Sequence, residues 1–477
     1  MVDDLRDMRV DVREKFNQAM AARQKEDFRT CIDLLSEVLL EEPDFAHAWN
    51  ERGAALLKCG HPFDAIIAHD RAFAINPMYE AINNRGVAFM ELERWKQGVK
   101  DFELVAEKLP NLPEPWNNIG NSYMRMGRIK EAPAMYEEAL KRKSDYSEAR
   151  LGLALALLKN GRYKEGWDEY EVRWKSEQLV PRGLPFPLWD RQPAKNSSDI
   201  IIVYSEQGMG DALHFARYVK LIKEQWGGLV HLEVRHPLAR ILGTLKDVDK
   251  IITLGDALPK ATCCMPLMSA PLLLNRFEPY WGGKYLTADP HRIESFKKQL
   301  EDLMPYKYYV GMCWSGMSRT ENSAAVAIDK RRSTTLAQFG TLAVPGISWI
   351  SLQMGTPKEE IKFGAPPKMV IGDFTNDIYD FYDTAAMIEC LDLVITVDTS
   401  VAHLAGVLNK PTWMFSRYDG CWRWLHNHDA TEWYPSMRIF NQTKPGDWDT
   451  PFQAAKIALS KRMLNVQHKP KLVVNNP

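Results

Sequence analysis

Along the first third of the chain, apolar and small residues recur with a period of about 34 positions, the length of a paired-helix unit. Trp49, Ile82 and Trp116 mark three such units; Gly53, Gly86 and Gly120 follow them, then Leu56, Phe89 and Tyr123, then Ala65, Gly98 and Ala132. Each unit continues to an aromatic or related residue (His69, Phe102, Tyr136) and a small apolar one (Ala72, Val105, Ala139), and Pro77 and Pro110 close two of them. Small residues let two antiparallel helices approach closely, large ones fill the seam between units, and proline stops the second helix. A weaker unit from Val12 to Pro43 and a last one starting near Ser147, with Leu153, Leu157, Gly161 and Tyr170, predict an α solenoid of about five repeats within a domain 1–178.

The pattern then changes. Residues 179–198 hold Pro181, Pro185, Pro187 and Pro193, too dense for a helix, and read as a linker whose Phe186, Leu188 and Trp189 pack against a neighbouring domain. Beyond Asp199 short apolar runs alternate with helical or loop stretches: Ile200 to Tyr204, a glycine loop, a helix from Ala212 to Trp226, then Leu229 to Val234. Similar runs recur at Tyr308 to Cys313, Ile347 to Gln353, Leu391 to Val397 and Pro411 to Phe415. This order predicts α/β architecture with parallel sheets, in two halves at 199–305 and 306–465, and a flexible tail at 466–477. Ligands of such sheets bind beyond the carboxyl ends of the strands, so those loops are where chemistry is expected.

Composition narrows the function classes. A net charge of -1 over 477 residues gives no bulk electrostatic case for nucleic acid. The apolar runs are too short for membrane insertion and the first ten residues do not resemble a secretory signal, so a cytoplasmic location is expected. The 7 cysteines lack metal spacing and read as reduced core residues. Asp447-Trp448-Asp449 is discounted as a metal motif because it lies beyond the last core strand, so no metal and no cofactor is expected.

The repeat resembles the tetratricopeptide family. Asn50, Asn83 and Asn117 occupy one repeat position, with Asn84 and Asn118 beside two of them. Amides can bind a peptide backbone in either direction. In tetratricopeptide-bearing O-linked N-acetylglucosamine transferases such a ladder holds an extended acceptor, and that resemblance implies a protein or peptide partner here; the other reading is a structural place within the repeat.

Three segments carry candidate chemistry. The loop Gln207-Gly208-Met209-Gly210-Asp211-Ala212-Leu213-His214 follows a strand and opens a helix, but lacks the third glycine of a dinucleotide fingerprint. In Ile395-Thr396-Val397-Asp398-Thr399-Ser400-Val401-Ala402-His403, strand end, polar turn and helix start succeed one another, a geometry that favours a diphosphate. Cys313-Trp314-Ser315-Gly316 leads on to Asp329-Lys330-Arg331-Arg332-Ser333, whose cations are expected just before a helix near Ser333, where a bound anion would relieve their conflict with the helix dipole. Ser351-Leu352-Gln353 ends another strand.

These segments resemble heptosyltransferase-like glycosyltransferases, and with the repeats the likeness spans nearly the whole chain. It implies a GT-B fold of two Rossmann-like domains using a nucleotide-diphosphate sugar without metal. It makes Asp211 the general base, against the simpler reading of a helix cap, and sets His214 near the acceptor. Ser315, Gly316, Lys330, Arg332, Gln353, Asp398, Thr399, Ser400 and His403 become donor ligands. The aromatic segments Cys421 to Trp424 and Trp433 to Ser436 are expected to be core more than sugar platforms.

Overall fold

The computed structural model describes residues 9–175, 179, 181–316 and 323–467, so the tail expected at 466–477 lies, from 468 onward, outside the described residues. The chain divides into two compact units, one running to Leu157 and taking in Val172–Leu179, the other comprising Leu158–Glu171 and the chain from Val180 onward.

The first unit is a succession of paired helices: α1 (Val10–Gln24), α2 (Phe28–Glu41), α3 (Ala46–Lys58), α4 (Pro62–Ile75), α5 (Tyr79–Glu91), α6 (Trp95–Lys108), α7 (Glu114–Arg125) and α8 (Ala132–Arg142). Next comes α9 (Ser147–Lys159), while α10 (Tyr163–Tyr170) belongs to the second unit. The glycine period explains the pairing. A Cβ on Gly53 would come 2.6 Å from the His69 ring, on Gly86 2.5 Å from Phe102, and on Gly120 2.8 Å from Tyr136. In each unit the ring of the second helix therefore lies on the bare backbone of the first, and Phe102, Ile119, Tyr136 and Leu153 continue as a buried seam.

The second unit holds two parallel sheets. The first has the order β3-β2-β1-β4, with β1 Ile200–Tyr204, β2 Leu229–Val234, β3 Lys250–Thr253 and β4 Cys263–Pro266. The second has the order β10-β9-β8-β5-β6-β7, with β5 Tyr309–Cys313, β6 Ser348–Ser351, β7 Val370–Gly372, β8 Leu393–Val397, β9 Thr412–Ser416 and β10 Met437–Asn441. The central strands β5, β8 and β9 are buried along their whole length, which is why they read as unbroken apolar runs and not as alternations. Trp314, Trp349, Phe339, Phe415 and Phe452 fill the core of the second sheet. The expected linker lies along the first sheet: Trp189 N–H donates to Cys264 O at 2.9 Å and Cys264 N–H to Pro187 O at 2.9 Å. The helix Pro290–Leu303 is tied to the second sheet's helix Phe381–Glu389 through Arg292 and Asp383, 3.0 Å apart.

Candidate functional site

At the carboxyl end of β8 the chain turns through Asp398 and Thr399 into the helix Ser400–Val407. Thr399 is the N-cap residue, yet its side chain makes no capping bond. Its hydroxyl instead meets that of Thr396 at 3.2 Å and lies 3.9 Å from Cys313 Sγ at the end of β5. The first N–H groups of the helix thus have no side-chain cap, the condition under which a helix end binds an anion.

Next to it, Gln353 organises the loop after β5. Its Oε1 accepts from Trp314 N–H at 3.0 Å and Ser315 N–H at 2.9 Å, and its Nε2 donates to Ser315 O at 3.1 Å and Met354 O at 3.0 Å. With its amide spent on the backbone and only 2% of its surface exposed, Gln353 shapes the loop, and the donor-ligand role expected of it gives way to that. Gly316 N–H donates to Ser333 Oγ at 3.0 Å, and a Cβ on Gly316 would stand 2.8 Å from the Arg332 guanidinium, which pairs with Asp329. Ser315, Gly316, Arg332, Gln353 and Thr399 are therefore gathered at the ends of β5, β6 and β8.

The basic run corrects an expectation. A helix spans Ser323–Arg332, so Lys330, Arg331 and Arg332 sit in its last turn and not ahead of a helix start. Cations there suit the dipole, and the conflict that called for an anion does not exist. Lys330 is exposed, whereas Arg332 is turned onto Gly316.

Facing this group is the loop after β1. In α11 (Met209–Phe215) Asp211 is the third residue: its Oδ2 accepts Gly208 N–H at 3.0 Å, and its Oδ1 accepts from Arg423 at 2.5 Å. Asp211 is thus both a helix cap and the partner of a buried arginine. Burial works against the charge of Arg423, but Cys421 and Asp211 beside it carry its pKa above the ordinary value. Gly210 lets α11 approach the Ser400–Val407 helix, since a Cβ there would come 2.8 Å from His403 Cδ2 and 3.4 Å from Ser400 Cα.

His214 and His403 stand between the sheets, ring centroids 5.4 Å apart, each with Nδ1 2.9 Å from the Tyr434 hydroxyl. His214 is fully buried among Phe215, Trp433 and Tyr434, so the expectation that it touches an acceptor gives way to a packing role. His403 stacks on Trp424 at 5.4 Å. Burial, then the nearby arginines, push both histidines well below the usual imidazole range. The segments around Trp422, Trp424 and Trp433 are core, as expected, and they wall in this pair. Two residues were missed: Arg217, which donates to the carbonyls of Tyr280 at 2.8 Å and Trp433 at 3.0 Å, and Arg423. The signal available was an arginine set inside an aromatic run, Phe215-Ala216-Arg217-Tyr218 and Trp422-Arg423-Trp424.

In the repeats, the asparagines bond to one another. Asn84 Nδ2 donates to Asn50 Oδ1 at 3.2 Å and Asn118 Nδ2 to Asn83 Oδ1 at 3.2 Å, joining neighbouring units. Asn50 also meets His69 Nδ1 at 3.1 Å, and both Asn50 and Asn117 are buried, so these two do not reach a peptide. Asn83, Asn84 and Asn118 remain partly exposed. Asp447 accepts from Thr443 and Thr450 hydroxyls at 2.8 Å and 2.7 Å.

Comparison with known proteins supports the repeats. A tetratricopeptide repeat family model matches residues 117–172. Protein FlbA of Caulobacter vibrioides is 25% identical over 485 aligned residues, covering 94% of this chain and 73% of FlbA. Among solved structures, the crystal structure of MamA is 20% identical, covering 34% of this chain and 94% of its own, with a TM-score of 0.30. A thermophilic tetratricopeptide protein of Thermus thermophilus is 18% identical over 35% of this chain and 92% of its own, with a TM-score of 0.32. The family match alone marks a tetratricopeptide-type repeat, at residues 117–172, a kind of scaffold suited to protein partners. Among the described residues no helix is long and apolar enough to cross a membrane.

Proposed function

We propose that the chain is a GT-B glycosyltransferase that moves a sugar from a nucleotide-diphosphate donor to a protein held by the repeats, without a metal. The observation that carries this reading is the Ser400–Val407 helix start, left without a side-chain cap, with Gly316 and Arg332 gathered beside it and the Gly210–Asp211 loop opposite. In this reading the diphosphate takes backbone N–H at the helix start, which has no side-chain cap, and the hydroxyls of Thr399 and Ser400, and Arg332 balances its charge. Preorganised dipoles and a cation stabilise the departing diphosphate as charge develops on it. Asp398 stands at the rim of the same turn.

A second reading, a protein-binding scaffold without catalysis, draws on the engagement of both Asp211 oxygens by Gly208 and Arg423. The two are separated by thermal unfolding of the full chain with uridine, guanosine, adenosine and cytidine diphosphates, since a ligand of the folded state raises the melting point. A rise with one of them, followed by hydrolysis of the matching sugar donor, supports the transferase; no rise with any leaves the scaffold.

A further inference from the structure

The two histidines between the sheets share a single hydroxyl. Tyr434 Oη lies 2.9 Å from His214 Nδ1 and 2.9 Å from His403 Nδ1. A phenol has one proton, so it donates to one ring and accepts from the other. Arg217 decides the direction: its guanidinium lies 3.3 Å from His214 Nδ1, and a guanidinium has donors only. His214 Nδ1 is therefore an acceptor, Tyr434 donates to it, and the Tyr434 oxygen accepts from His403 Nδ1–H. A neutral imidazole protonated at Nδ1 has a bare Nε2. That edge of His403 faces the loop opposite, where a Cβ on Gly210 would stand 2.8 Å from Cδ2 and 3.5 Å from Nε2. The ring stays neutral because it is buried and because Arg423, Arg217 and Arg332 all act against a further charge.

We propose that His403 meets the substrate as a hydrogen-bond acceptor, receiving the attacking hydroxyl at Nε2, and that it is not a ligand of the diphosphate. Two lone pairs repel, so a bare Nε2 rejects a phosphate oxygen and selects an O–H. The inference rests on the glycosyltransferase reading and changes the role assigned to His403 within it. In the transfer, the hydroxyl oxygen bonds to the anomeric carbon while Nε2 holds and orients its O–H, and the proton leaves on the departing diphosphate, so that the His403 ring stays neutral. The bond from the anomeric carbon to the phosphate oxygen breaks, and its electron pair leaves with the nucleoside diphosphate. Asp211 does not compete for this proton, because Gly208 N–H and Arg423 hold its two oxygens. Tyr434 and Arg217 are positioning residues that set the tautomer.

Nitrogen-15 NMR of the histidine-labelled full chain at neutral pH tests the tautomer directly. The expected spectrum has His403 protonated at Nδ1 and His214 at Nε2; His403 protonated at Nε2 overturns the proposal. Tyr434→Phe is expected to release that preference, and an unchanged His403 tautomer in this variant also overturns it. Calorimetric titration with the four nucleoside diphosphates and hydrolysis of the matching donors, with water as the hydroxyl, test the role. His403→Phe should bind the diphosphate as wild type does while hydrolysis falls about a hundredfold, as misplacement of a reacting group does. A drop in diphosphate affinity of about tenfold, worth about 1.4 kcal/mol, would make His403 a phosphate ligand and overturn the proposal. A wild-type chain that binds none of the four removes the transferase reading and this role with it, whereas a wrong tautomer in a chain that binds one removes only this role.

Discussion

Gly210 occupies a place where no side chain fits. A Cβ there would lie 2.8 Å from His403 Cδ2 and 3.4 Å from Ser400 Cα, and the second of these is backbone that cannot swing aside. Gly210→Ala is therefore expected to push α11 off the Ser400–Val407 helix, at a cost of about 1–3 kcal/mol, the range for overpacking. Urea denaturation measures the loss, and an unchanged midpoint would mean the two helices adjust freely. Arg332 makes the complementary case. Turned onto Gly316, it should lower nucleoside diphosphate affinity about tenfold on change to alanine, as loss of a charge-assisted bond does. The exposed Lys330, changed likewise, should leave affinity as it was. Calorimetric titration of both variants checks the contrast. The two cations are near neighbours in sequence and nothing in the run told them apart, because only the helix phase decides which one faces the loop. The repeat glycines were readable for the opposite reason: Gly53, Gly86 and Gly120 each answer to a ring at the same offset, His69, Phe102 and Tyr136.

At the scale of elements, repetition and apolar runs were legible and short or interrupted pieces were not. The runs at Ile200, Leu229, Tyr308, Ile347, Leu391 and Pro411 correspond to β1, β2, β5, β6, β8 and β9, while β3, β4, β7 and β10 escaped notice. Those four are short or at sheet edges, and β3 and β7 begin with an exposed residue, so no apolar stretch marks them. The basic helix was misplaced because a helix was expected to begin near Ser333; the Ser333 hydroxyl instead accepts Gly316 N–H at 3.0 Å. The period that assigned Tyr170 to a fifth repeat agrees with the family match over residues 117–172, and the helix that carries it also belongs to the second compact unit. Trp167 in α10 is 1% exposed, packs 5.8 Å from Phe215 and 5.2 Å from Trp422, and donates to Phe277 O at 3.1 Å, all within the second unit. Trp167→Ala should thus destabilise the sheets that carry the candidate site, by about 3–5 kcal/mol as large aromatic truncations do. Thermal unfolding of the variant checks this, and an unchanged melting temperature would mean that Trp167 does not hold the second unit together.

Over the described residues, buried histidines make stability depend on acid. His69 in the repeats is fully buried, and burial, then Arg85, depress its pKa to about 4; His214 and His403 are likewise held well below the ordinary value, by burial and then by arginines. An unfolded histidine takes its proton near pH ~6.5. Below that pH the unfolded chain binds more protons than the folded one, so stability is complete above about pH 7 and falls as pH drops, by up to about 1.4 kcal/mol per unit for each such histidine. The loss attached to His69 runs from about pH 6.5 to about 4, where the folded ring also protonates. The equivalent place in the next repeat holds Phe102, which lies on Gly86 as His69 lies on Gly53, so His69→Phe fits the site without a titrating group. Asn50 Oδ1 keeps Asn84 as a donor at 3.2 Å in that variant. Urea midpoints at pH 8 and pH 5 should differ less in His69→Phe than in wild type, and an equal difference would show that this histidine does not carry the acid sensitivity assigned to it.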